Sequence, residues 1–309
     1  MTLYCFHVLS KGQNLMSGNH LNFKVDYSRL KIYDEYNTDN LQYPLVLSVP
    51  HKGQIFPDEF LCATTISQSE LRCNEDSFVD ELLQGAIQNG VCMLAMNIAR
   101  SFIDVNRDKM EIDPTMFYNY PSPELSMGRR CRLGLGVIHR ITAKNHPIYN
   151  GLLDYEEVQE RFTHVYDVYH KRLQQLIDKC LKKFGLCFVL DCHSMPSEIC
   201  SLLQETQKID FCLGTLFGQS CPEEFHAFFK SGLDRKNYYV SDNCPYSGAY
   251  ITFNYCQPRQ KIYTMQMEVN RGLYMNEQSY KKNGCFSNLC NDISQNIIDI
   301  SHFLLDFKK

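Results

Sequence analysis

Leu45-Val46-Leu47-Ser48-Val49-Pro50-His51-Lys52-Gly53 is the stretch on which the fold turns. Its first five residues run almost without a polar interruption and stop at a proline. A strand buried on both faces of a parallel sheet reads this way, because helices cover both surfaces and neither face needs water. Regular structure is therefore expected to begin at Pro44. Similar runs recur at 91–96, 102–105, 186–190 and 263–267. Helical patterns lie between them. Phe78, Val79, Leu82, Leu83, Ala86 and Ile87 recur at helical spacing behind a cap at Asp76 or Ser77. A longer helix is expected from Tyr155 to Phe184, ending at Gly185 as a left-handed stop, and another amphipathic helix closes the chain over 293–307. Strands alternating with helices give an α/β class: a mixed, largely parallel sheet flanked by helices. Residues 1–43 are polar, without sustained period, and read as an N-terminal embellishment. Residues 44–309 read as one domain, since no repeat, linker or charge block divides them.

Composition narrows the function. The chain has 309 residues, 44% hydrophobic and 21% charged, enough apolar material for a large core. Its 31 basic and 35 acidic residues leave a net charge of −4, which offers no broad cationic surface for nucleic acid or anionic lipid. Fifteen cysteines are scattered with no C-x-x-C pair, so they read as free thiols of a reducing compartment rather than as staples or a zinc cage. No basic and apolar leader and no run of about 18 apolar residues is present. A cytoplasmic protein without nucleic-acid or membrane partners is expected.

In open α/β sheets ligands gather beyond the carboxyl ends of the strands, and four of the apolar runs lead into polar chemistry there. They give Pro50-His51-Lys52-Gly53, Asp104-Val105-Asn106-Arg107, Asp191-Cys192-His193-Ser194 and Gln266-Met267-Glu268-Val269-Asn270-Arg271. A single histidine after a strand is most often a structural hydrogen bonder. Two of them, His51 and His193, beyond two different strands are what a zinc site requires, with Asp191 placed to orient the second ring. Glu268 reads either as a general base or as a salt-bridge partner of Arg271. Arg107 reads either as a clamp for a substrate carboxylate or as an ion pair with Asp104 or Asp108. His139, His146, His164 and His170 read as surface or structural residues.

Taken together, the motifs carry a resemblance. Pro50-His51-x-Gly53, Arg100 followed by Asp104-x-Asn106-Arg107, Asp191-x-His193-Ser194-Met195, Leu213-Gly214-Thr215-x-x-Gly218-x-Ser220-Cys221, Gly248-x-Tyr250-Ile251-Thr252, and Gln266-x-Glu268 with Tyr274-Met275 occur in order between Pro44 and Glu277. In this the chain resembles the N-formylglutamate amidohydrolase family, which is related to the zinc carboxypeptidases. The resemblance implies a zinc-carboxypeptidase-like fold of the phosphorylase/hydrolase-like type and one Zn2+ ion bound by His51 and His193. It further implies Glu268 as base and then acid, and Arg107 with Asn106 on a substrate carboxylate. Carboxypeptidases take their second ligand from a Glu three residues after the first histidine, where this chain has Gln54. Asp76 is the chosen replacement, with Glu75 and Asp80 as alternatives. Family members often carry Arg where this chain has Phe253 and Gly where it has Cys256.

The activity so implied is hydrolysis of N-formyl-L-glutamate to formate and glutamate, a step of histidine degradation. Glu268 takes a proton from the zinc-activated water, Arg100 or Arg107 steadies the oxyanion, and Arg107 with Arg140 holds the carboxylates. One rival is a deacylase or carboxypeptidase acting on another N-acyl amino acid or small peptide. A second is a metal-free relative that only binds an acidic ligand.

Overall fold

In a computed structural model, which describes residues 19–121, 128–202 and 208–307, seven strands form the central sheet. They are β1 (Tyr33–Tyr36), β2 (Leu45–Val49), β3 (Cys92–Met96), β4 (Cys187–Met195), β5 (Phe211–Gly214), β6 (Val240–Asp242) and β7 (Ile262–Asn270). Their order across the sheet is β1-β3-β2-β4-β7-β5-β6. The central β3-β2-β4-β7 block is parallel, while β1 joins one edge and β5 the other in antiparallel sense. The sheet is thus mixed and largely parallel, as the continuous apolar runs imply.

Both faces are covered. On one side Leu47, Phe188, Leu190 and Met265 pack against α1 (Val79–Leu82), α2 (Gln84–Gln88), α5 (Glu223–Asp234) and α7 (Phe286–Asp306). On the other, Val46, Leu94 and Val189 meet α3 (Tyr155–Arg161), α4 (Asp167–Phe184) and α6 (Tyr250–Tyr255). Period-two alternation puts Ser48, Asp191, His193, Gln266 and Glu268 on this second face, towards the carboxyl ends of their strands. The helix read over 155–184 is continuous but contains a π-helical turn at Phe162–Tyr166, and it ends as expected at Gly185 with φ 76°.

Several expectations are corrected. Regular structure does not begin at Pro44, since Tyr33–Tyr36 supplies an edge strand; four residues with two acidic side chains gave too little pattern to read. Residues 1–18 of the N-terminal segment lie outside the described residues. The apolar run at 102–105 is not a strand. Its side chains are buried, but its backbone is held by other groups: the Phe102 carbonyl accepts from Arg161, the Asp104 N–H donates to Val137 and the Val105 carbonyl accepts from His170. The helix after the first strand is capped at neither Asp76 nor Ser77. It starts after Phe78, whose φ of 65° is left-handed, and it breaks into two short helices at Leu83. The final helix begins earlier, at Phe286.

Candidate active site

Register explains why distant residues meet. Neighbouring strands in parallel register project paired residues to the same side, and β4 and β7 pair His193 with Glu268 and Asp191 with Gln266. His51 arrives three residues beyond Ser48, which pairs with Asp191 from β2. Asp76 is tied in through its own backbone, its N–H donating to the His51 carbonyl at 2.9 Å. The left-handed Phe78 turns the chain immediately after it, the kind of strained conformation that surrounding structure must hold in place.

The result is a buried triangle. His51 Nδ1 and His193 Nδ1 are 3.1 Å apart, and Asp76 Oδ2 lies 3.0 Å from the second and 3.4 Å from the first. Both Nε2 atoms are committed elsewhere: that of His51 donates to Asp104 Oδ1 at 2.7 Å and that of His193 to Asp191 Oδ2 at 2.8 Å. With their protons on Nε2, both rings turn Nδ1 lone pairs towards each other and towards a carboxylate oxygen. Three potential ligand atoms converge, an arrangement that a cation can bind in place of a proton. Tetrahedral zinc with ligands at about 2.0–2.1 Å sets its donors roughly 3.3 Å apart, which matches the three edges. Among the described residues, His51, Asp76 and His193 form a group whose donor atoms all lie within 4.8 Å of one another. A carboxylate behind each histidine is the usual support of a metal-binding imidazole.

The surroundings are strongly charged and buried. Burial alone would raise the Asp76 carboxyl, yet His193 and His51 hold it well below the usual range. Burial likewise disfavours a charged His193, but Asp191 and Asp76 raise its proton affinity well above that of an ordinary imidazole. Arg271 donates to Asp76 Oδ1 at 2.8 Å and to Ser194 Oγ at 3.0 Å, leaving Oδ2 for the triangle. Asp191 is braced by Ser48 Oγ at 3.1 Å and by the Asn106 amide at 3.0 Å. Glu268, 6% exposed, accepts from Gln266 Nε2 at 2.6 Å, and burial with Asp76 nearby pushes its carboxyl up to about 7 despite His193. Among the described residues, the Gln266 Oε1 atom has no hydrogen-bond partner.

The remaining sequence candidates take different places. Asn106 joins the site through Asp191 and accepts from the Ile251 N–H at 2.7 Å. Arg107 is buried, and among the described residues its guanidinium hydrogen-bonds to the carbonyls of Leu135 and Asn106, with Asp104 at 3.9 Å and Glu111 at 4.0 Å; burial lowers it to about 10. Arg100 sits on Asp104 at 2.6 Å, behind His51 rather than beside the triangle. Arg140 is half exposed and turns to Asp113 at 3.2 Å, outside this network. Of the alternatives to Asp76, Glu75 is taken by Arg72, Gln54 and Ser77, and Asp80 faces Lys52. Phe253 stands 71% exposed on α6. Arg271, weighed from sequence as one cation that could pair with Glu268, instead meets Asp76, and His139, read as surface or structural, is a buried ring 3.3 Å from Asp104. No periodic signal marks a histidine in a loop, and only the Asp104 contact reveals it.

Comparisons with known proteins identify the family. The family model described as N-formylglutamate amidohydrolase matches residues 43–275. The chain is similar to the crystal structure of N-formylglutamate amidohydrolase from Ralstonia eutropha JMP134, with 30% identity and a TM-score of 0.82 over 89% of this chain and 99% of that one. It shares its fold with a gene product of Agrobacterium tumefaciens, at 16% identity and a TM-score of 0.58 over 90% and 99% of the two chains. No curated protein sequence matches the chain significantly.

Proposed function

The chain belongs to the N-formylglutamate amidohydrolase family, and from that premise we propose that it is a zinc-dependent hydrolase of N-formyl-L-glutamate, releasing formate and glutamate. One observation carries the reading: two histidine Nδ1 atoms and one carboxylate oxygen converge within 3.4 Å, one strand away from a buried glutamate in register with His193. His51, Asp76 and His193 are the residues that hold the metal, which when bound supplies a Lewis acid that acidifies water and polarises the acyl oxygen.

The protein's own groups do the rest. Glu268, with its carboxyl pushed up to about 7, is matched to accepting a proton from the attacking water and returning it to the departing amine near neutrality. Gln266 fixes the Glu268 carboxylate by its amide. Arg107, a buried cation with no carboxylate within hydrogen-bond distance, suits a substrate carboxylate and the adjoining oxyanion. Arg100 acts through Asp104, and Arg140 would have to leave Asp113 to reach a ligand.

The deciding assay is formate release from N-formyl-L-glutamate before and after treatment with a chelator. Metal-dependent release is expected, and activity that survives complete metal removal would end the zinc reading. The exposed, uncharged Phe253 favours extending the assay to other N-acyl amino acids, since it cannot pair with a side-chain carboxylate. A better turnover of an apolar N-acyl amino acid would move the assignment to that substrate class.

A further inference from the structure

We propose that His139 and Asn74 form a positioning relay that fixes, through Asp104, which nitrogen of His51 faces the metal; this rests on the zinc reading above. The relay can be followed proton by proton. The Ala143 backbone N–H, 2.7 Å away, points at Asn74 Oδ1, and the Cys73 thiol donates to the same atom. A backbone N–H can only donate, so the oxygen of the Asn74 amide must face it and the amino group must face His139. Asn74 Nδ2 lies 3.0 Å from His139 Nδ1 and donates to it. His139 Nδ1 is thereby an acceptor, so the ring proton sits on Nε2, 3.3 Å from Asp104 Oδ2. Asp104 Oδ1 in turn receives the His51 Nε2 proton at 2.7 Å, which leaves His51 Nδ1 bare for the triangle.

Local packing holds the relay. The Asp104 N–H donates to the Val137 carbonyl, two residues before His139, so the two segments travel together. His139, Asn74 and Asp104 are all buried, and burial lowers the His139 ring to about 4, which keeps it neutral in this role. Arg100 shares Asp104 Oδ2 at 2.6 Å and supplies the charge, while His139 supplies a direction.

Zinc affinity of the full-length chain tests this, measured on chelator-stripped protein by titration with Zn2+ against a chromophoric competitor. The wild type is expected to bind one ion. His139→Leu is expected to weaken binding by about tenfold or more, the range seen when partners behind metal ligands are removed. His139→Gln, whose amide can accept from Asn74 and donate to Asp104, is expected to recover most of it. Asn74→Leu is similar in volume and covers a His139→Leu chain that does not fold. It removes the donor that keeps the His139 proton on Nε2, so zinc should again bind about tenfold more weakly. Wild-type affinity in either folded variant overturns the relay, as does a His139→Gln chain no better than His139→Leu. A wild-type chain that takes up no zinc overturns the metal site and the relay together.

Discussion

A single carboxyl group decides whether the site is a base beside a metal or a fourth ligand to it. Glu268→Gln keeps the shape and removes the proton acceptor, so kcat should fall by roughly 10²–10⁴-fold, the usual weight of a positioned acid–base group. Zinc content should be unchanged, because the three converging donors are His51, Asp76 and His193. Metal analysis beside the kinetics checks this, and a Glu268→Gln chain that loses its zinc would make Glu268 a ligand and sink the assignment. These residues were largely legible in advance. His51, His193 and Glu268 each follow a buried apolar run, and Asp191 stands two residues before its histidine, the spacing that shares one face of a strand. Asp104 and His139 were not, because their meeting depends on two loops folding against each other, and neither loop has a period. The true partner of Arg271 was hidden for a related reason. Sequence proximity offered only Glu268 as a neighbour to weigh, while the turn after β7 swings its guanidinium to Asp76.

Among the elements, the run at 102–105 shows where reading by pattern stops. Phe102, Ile103 and Val105 are buried as a strand's residues would be, yet the place beside β3 is filled by β1, and side chains of α3 and α4 hold the turn instead. Apolar composition reports burial; it does not report which donors will meet the backbone. Arg161 is the main support. It is fully buried, pairs with Glu157 at 2.6 Å, donates to the Phe102 carbonyl at 2.8 Å and lies 4.1 Å over the Phe102 ring. Glu157→Ala would strand that cation in the core, a change expected to cost about 3–5 kcal/mol. Chemical denaturation should show the loss, accompanied by reduced activity, since the same turn carries Asp104, Asn106 and Arg107. A shift of less than about 1 kcal/mol would mean that water reaches Arg161 and that the turn stands without it.

Over the whole molecule, stability should follow acidity and metal together. His170 on α4 joins two parts of the fold, with Nδ1 2.8 Å from the Tyr255 hydroxyl and Nε2 donating to the Val105 carbonyl. Burial lowers the ring to about 4 in the folded chain, against about 6.5 when unfolded. As pH falls below about 6.5 the unfolded chain therefore takes up a proton that the folded chain refuses, and stability present at pH 7 is lost on the way down to 4. At about 1.4 kcal/mol per unit this amounts to roughly 2 kcal/mol by pH 5. Urea titrations of the zinc-loaded chain should show His170→Gln losing less than the wild type between pH 7 and 5; equal losses would mean that the ring is solvated. Zinc would act through connectivity. His51 follows β2, Asp76 precedes α1 and His193 lies on β4, so one ion bound by them would tie a strand end, a strained loop and the middle of the sheet. Because the unfolded chain cannot bring these three together, free zinc at 100 times its Kd should stabilise the fold by about 2.7 kcal/mol. Thermal melting should rise with added zinc and fall back with chelator, and Asp76→Ala should remove most of the increment. A melting curve indifferent to both additions would mean that a proton shared between His193 and Asp76, not a metal, holds the three groups together, and the zinc assignment would fall.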